Sequence, residues 1–213
     1  MELALRLKES IQSNHTAIEN LALSKAMIGG TVDRDSYTML LSQLRHIHEV
    51  LEADLASHGE LASVYKPSMN RTAVLDRDLA ALNPVAVPPE MPIEITGLTI
   101  GTIARWNANA IWSLIGCLYV FEGSRMGSMA LARPIAKALG LAAEPGQGID
   151  YHLDGIRERG RNWQQFRADL HAAGLTPEQE ADVLTGADVT MQMLCGLYAE
   201  ISARMSEPLV SSR

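Results

Sequence analysis

The chain has 213 residues, 47% of them hydrophobic and 20% charged, with a formal net charge of -7 at pH 7. That length and apolar content suffice for a core without disulfide or metal staples, and the acidic balance, with no local cluster of lysine and arginine to reverse it, argues against binding to a nucleic-acid backbone. The two cysteines, Cys117 and Cys195, lack CxxC spacing, which argues against zinc and for a reducing compartment.

The N-terminal "MELALRLKESIQ" is charged throughout and lacks the apolar centre and cleavage site of a signal peptide. The longest apolar run, residues 111–121, is shorter than the ~20 residues that span a bilayer, so a cytoplasmic protein with no membrane segment is expected. Apolar residues recur at three and four almost everywhere, with no sustained period-2 alternation, and an all-α fold follows. In the first helix Leu7, Ile11, His15, Ile18 and Ala22 share one stripe, and Gly29-Gly30 is expected to stop it. A second helix is expected from Asp33, its N-cap, to near His58 and Gly59, and a short third one over residues 71–82. The proline-rich "NPVAVPPEMP", residues 83–92, is the one shift in composition. It is read as a loop inside a single domain spanning 1–213, because neither half has enough amphipathic faces to close its own core. A long helical pattern runs from about Thr99 to Leu139 and ends at "GLAAEPGQG". Two further helices are "GIRERGRNWQQFRADLHAA" and a segment opened by Thr176 as N-cap, with Pro177 the first helical residue and Glu178 in the first turn.

Gly116, Gly123 and Gly127 are spaced by seven and four and so share one narrow face of the long helix. A face of bare backbone suits either close packing of a second helix or the approach of a broad planar ligand. His15 on its apolar stripe is either a core residue with a satisfied ring or a ligand. Glu19, four residues on, can take the proton of one imidazole nitrogen and leave the other for iron, and Lys8, two turns back, can meet a carboxylate at a ligand's edge. His46 and His48 point about 200° apart on a helix and cannot share a metal; one should face inward and the other solvent. No glutamate stands three residues before a histidine, which removes the Glu-x-x-His pattern of a di-iron bundle.

With these residues in place the chain resembles the heme oxygenase family, in particular its bacterial branch associated with bacteriophytochromes and iron acquisition. "LKESIQSNHTAIE" resembles the proximal helix, "YKPSMNRTAVLDRDLAAL" the segment with Pro-x-x-x-Arg, "LYVFEGSRMGS" the distal signature and "GRNWQQFRADL" the late Trp-x-x-Phe element. The resemblance implies a multi-helix bundle holding heme between a proximal and a bent distal helix. It implies His15 as the axial iron ligand, Gly123 and Gly127 lining the distal face, and Lys8, Tyr119 and Arg167 holding the propionates. Many members have an aspartate after the first distal glycine where this chain has Ser124, which leaves the anchor of the distal water network open; Arg71 and one of His46 or His48 are candidates by location. The implied reaction opens heme with O2 to biliverdin, ferrous iron and carbon monoxide. Electrons would come from an external donor, a protein or small reductant, since no flavin or nicotinamide fingerprint is present. A biliverdin-accepting photoreceptor is a further implied partner. Ser124 keeps a second reading open, a heme-binding carrier or sensor without turnover.

Overall fold

The spacing of three and four that runs through the sequence becomes nine α-helices among the residues that the computed structural model describes, 3–83 and 91–205. They are α1 (Leu3–Glu19), α2 (Ala22–Gly29), α3 (Arg34–Ser57), α4 (Thr72–Leu82), α5 (Glu94–Asn109), α6 (Trp112–Leu139), α7 (Asp150–Leu153), α8 (Arg159–Ala172) and α9 (Pro177–Met205), with short 3-10 turns at Gly59–Ser63 and Pro67–Met69. No strand occurs among the described residues. Most of the proline-rich segment read as an internal loop, residues 84–90, lies outside them.

Several helix ends follow from caps written into the sequence. The Asp33 carboxylate accepts the Ser36 backbone N–H at 2.8 Å and starts α3. Thr176 and Gln179 form a reciprocal capping box at the head of α9: each backbone N–H donates to the other's side-chain oxygen, at 2.9 and 3.3 Å. Gly30 and Gly140, both at φ 67°, close α2 and α6 in the left-handed conformation that favours glycine.

Two expected helices prove to be pairs. The first breaks at Asn20 and Leu21: the Asn20 amide donates back to the Thr16 carbonyl at 2.9 Å, and the Leu23 N–H is taken by the Ser202 hydroxyl of α9 at 3.0 Å. The second starts earlier than expected, at Glu94, and parts at Ala110–Ile111 into α5 and α6. Neither break contains glycine or proline; at the first, a tertiary partner supplies the hydrogen bond that the helix gives up. The short α7 was not expected. Asp78 of α4 caps it, accepting the Asp150 and Tyr151 N–H groups at 2.7 Å each, while burial pushes that carboxyl up to about 6.

The centre of the bundle is the α6–α9 pair, and α1, α2 and α5 also lean on α9 while α3 covers α4, α5 and α6. Gly116 and Gly186 make the central contact possible. A Cβ on Gly116 would enter the Val183 carbonyl and the Ala187 nitrogen, and one on Gly186 would enter the Ser113 carbonyl. One continuous apolar core results, with Leu7, Tyr37, Leu51, Leu114, Ile115 and Val183 fully enclosed; each such aliphatic side chain contributes roughly 1.5–3 kcal/mol. Among the described residues no helix is long and apolar enough to cross a membrane.

Candidate functional site

Helix α1 is seated most deeply by its first half, with Ile11 and Ile18 half-buried against the core farther on. Leu3 and Leu7 are buried, and Arg6 forms an ion pair with Glu180 of α9 at 2.5 Å. From Ile11 onward every residue of α1 is half-buried or exposed, and the Ala22 of the expected stripe lies exposed on the next helix. His15 is therefore not a packed core residue. Its side chain is 52% exposed, and its Nδ1 lies 3.4 Å from Oε1 of Glu19. That separation is longer than an ordinary hydrogen bond; the carboxylate orients the ring electrostatically and leaves Nε2 unencumbered. Lys8 is exposed on the same helix.

Helix α6 divides its glycines between two tasks that spacing alone could not tell apart. Gly116 serves the α9 contact described above. A Cβ on Gly123 would lie 3.5 Å from the Trp163 ring of α8, in ordinary contact, and one on Gly127 would meet nothing within 4 Å. Met126 and Met129 beside them are 44% and 49% exposed. Around residues 123–127 the outward face of α6 thus offers bare backbone, covered by the Trp163 ring at Gly123 and open at Gly127. The Ser124 hydroxyl, exposed, donates to the Phe121 carbonyl at 2.8 Å.

At the near end of this surface Tyr119 is buried against Trp163, ring centroids 5.1 Å apart, and Phe166, 6.5 Å. Burial pushes its phenol above the ordinary value, and the neighbouring Arg167 cation partly counters that. Since α8 also touches α1, the structure gathers Tyr119, Gly123 and Arg167 about the α6–α8 contact, with the helix of Lys8 adjoining.

Arg71 and His48 are not brought to the glycine face. His48 is buried, its Nε2 3.2 Å from the Tyr151 hydroxyl, its Nδ1 3.4 Å from Glu52 and its ring 4.4 Å from Phe121; burial holds its pKa down against the pull of Glu52. His46 is half-buried, so the inward and outward split of the pair is partial. Arg71 is 5% exposed and its guanidinium is committed to Asn70 O at 2.8 Å, Asp154 at 3.1 Å and Glu122 at 3.6 Å. Phe121 and Glu122 project about 160° and 100° round α6 from Gly123, so this buried network braces the back of the helix. Its other members, Arg125 and Arg159, were not singled out in the sequence, where each reads as one more charged residue of a helix.

The residues present suit a broad apolar ring: an exposed imidazole on α1, open backbone at Gly127 of α6, and cationic and phenolic groups near the α6–α8 contact. The heme oxygenase family model matches residues 1–199. Heme oxygenase 2 of Synechocystis sp. is 36% identical over 177 residues, covering 79% of this chain and 70% of the relative. Among solved structures, heme oxygenase from Leptospira interrogans superposes with a TM-score of 0.84 at 22% identity, covering 94% of this chain and 100% of that one. Heme oxygenase-1 of Synechocystis in complex with heme superposes with a TM-score of 0.86 at 20% identity, covering 96% and 94%.

Proposed function

The chain belongs to the heme oxygenase family, and from that premise we propose how its own residues take and position the substrate. The enzyme is a heme oxygenase: heme is its substrate, opened with O2 to biliverdin, ferrous iron and carbon monoxide with electrons from an external donor.

Heme lies between α1 and α6. His15 binds the iron through Nε2 while Glu19 keeps the proton on Nδ1, so that the ring coordinates as a neutral imidazole. Gly123 and Gly127 back the opposite face, where the nearest protein atoms to O2 are those of the backbone. Lys8, Tyr119 and Arg167 receive the propionates, two as cations and one as a hydroxyl donor. The Ser124 hydroxyl spends its proton on the Phe121 carbonyl and keeps oxygen lone pairs with which to order proton-carrying water. Arg71 acts only through Glu122, from behind α6. The observation that carries this reading is the open backbone at Gly127, on a helix that shares its support, α9, with the helix bearing the exposed His15.

An aerobic reaction with equimolar heme and a chemical reductant, followed by product chromatography, tests it. Biliverdin with release of carbon monoxide is expected; bound heme that is never opened would refute it. The reading extends to a cytoplasmic setting, supported by the free thiols of Cys117 and Cys195, and to a biliverdin-accepting photoreceptor, supported by the resemblance of the chain as a whole to the bacteriophytochrome-associated branch.

A further inference from the structure

Arg159 opens α8 in an unusual setting. It is 5% exposed, stands at a helix N-terminus where the dipole disfavours a cation, and has no carboxylate within hydrogen-bonding distance among its described partners. Burial and the nearby guanidinium groups of Arg125 and Arg71 pull its pKa down. All its bonds go to neutral oxygens. Nη1 donates to the Arg125 carbonyl at 2.5 Å and reaches the Ser128 hydroxyl at 3.4 Å; Nη2 donates to the His152 and Asp154 carbonyls, at 2.9 Å each. The Asp154 carbonyl is shared with Arg125, whose Nη2 donates to it at 3.1 Å. One buried cation therefore ties the middle of the glycine stretch of α6 to the α7–α8 link. Trp163, four residues on and on the same face of α8, lies against the outward side of Gly123, 3.5 Å from where a Cβ would stand. Helix α8 thus supports α6 at both ends of the segment 123–128, by a ring at one end and by a guanidinium at the other.

Resting on the heme reading above, we infer that Arg159 is a positioning residue for ring opening: its grip on Arg125 and Ser128 sets where the Gly123–Gly127 backbone stands against the heme edge, and so which bridging carbon is attacked. A buried cation bound only to carbonyls and a hydroxyl is costly to keep, and its geometric effect falls on the stretch of α6 that carries Gly123 and Gly127. A shift of that backbone by a fraction of an ångström alters the placement of O2, to which rate is steeply sensitive.

The test uses the full chain loaded with heme, with R159K and R159M compared against R34M. Arg34 is a matched control, since it also donates to two carbonyls, Leu82 at 3.3 Å and Leu139 at the far end of α6 at 3.1 Å. Two quantities are read after circular dichroism has established folding: the carbonyl stretching band of the carbon monoxide complex of the reduced protein, and the distribution of biliverdin isomers. Both Arg159 variants should bind heme, shift or split the band, broaden the isomer distribution and turn over about tenfold more slowly. R34M should lose thermal stability and keep the band and the isomer pattern. Folded Arg159 variants with an unaltered band and pattern overturn the proposal, and so does an R34M that changes them as much. If R159M fails to fold, R159K decides, because its ammonium can still donate to these carbonyls; if R159K also fails to fold, Arg159 is a folding residue and the proposal falls. Should the unsubstituted protein bind heme without producing biliverdin, the enzymatic reading fails, while the band still decides whether Arg159 positions α6.

Discussion

Gly116 and Gly127 lie on the same face of one helix, yet a methyl group added at each should act with opposite sign. At Gly127 nothing lies within 4 Å of the new Cβ, so Gly127→Ala keeps every contact and gains helix propensity. That gain is about 1 kcal/mol, or a rise in the unfolding midpoint of about 2–4 °C for a domain of this size. At Gly116 the Cβ enters the Val183 carbonyl and the Ala187 nitrogen, backbone atoms that can yield only if α6 and α9 separate. Overpacking of that kind costs about 1–3 kcal/mol, or more against backbone, and outweighs the propensity gain, so the midpoint should fall. Thermal unfolding of the apoprotein followed by circular dichroism reads both. A Soret titration then reads the other half of the argument: Gly127→Leu should fold as well as the unsubstituted chain and bind heme at least about tenfold more weakly, a loss of about 1.4 kcal/mol, because its side chain occupies the ligand's space. A destabilised Gly127→Ala, or a Gly127→Leu with full heme affinity, would refute the division of the glycines between packing and substrate.

His15→Ala should still admit heme, more weakly and with altered iron spectra, and biliverdin formation should drop sharply, with partial recovery on adding free imidazole; because the side chain is 52% exposed, apoprotein stability should change by less than about 0.5 kcal/mol, unlike the loss expected of a core histidine. His152 is buried with neither ring nitrogen partnered, and burial, helped by Arg159, holds its pKa at about 4. The unfolded chain therefore takes up a proton below about pH 6.5 that the folded one refuses down to about 4, which removes on the order of 3 kcal/mol of stability as pH falls through that window. His152→Leu should flatten this acid limb in denaturant titrations at pH 4.5 and 7; Asp78, whose raised carboxyl works in the opposite direction, cancels in the difference between the two proteins. Thr176→Ala, which opens the capping box of α9, should cost about 1 kcal/mol and lower the midpoint by about 2–4 °C, and an unchanged midpoint would mean that the cap is replaced by water.

The sequence alone determined what depends on near neighbours along the chain. The helical period, the Asp33 and Thr176 caps and the stop after Leu139 each arise within a few residues, and local chemistry sufficed to place them. The shared face of Gly116, Gly123 and Gly127 and the Lys8, His15 and Glu19 spacing were legible for the same reason, since helical geometry converts spacing into direction, whereas the distal signature was legible only as a family resemblance. Spacing yields a direction and no partner, and there tertiary structure took over. It decided that Gly116 meets α9 while Gly127 meets open space, that His48 turns inward, and that the first helix gives up the Leu23 N–H to Ser202, 179 residues away. It also moved Arg71 from the open face to the back of α6, and it buried Arg159, to which helical spacing gives no partner. A charged side chain is buried only where enough oxygens converge on it, and the carbonyls of Arg125, His152 and Asp154 converge only once α6, α7 and α8 have packed.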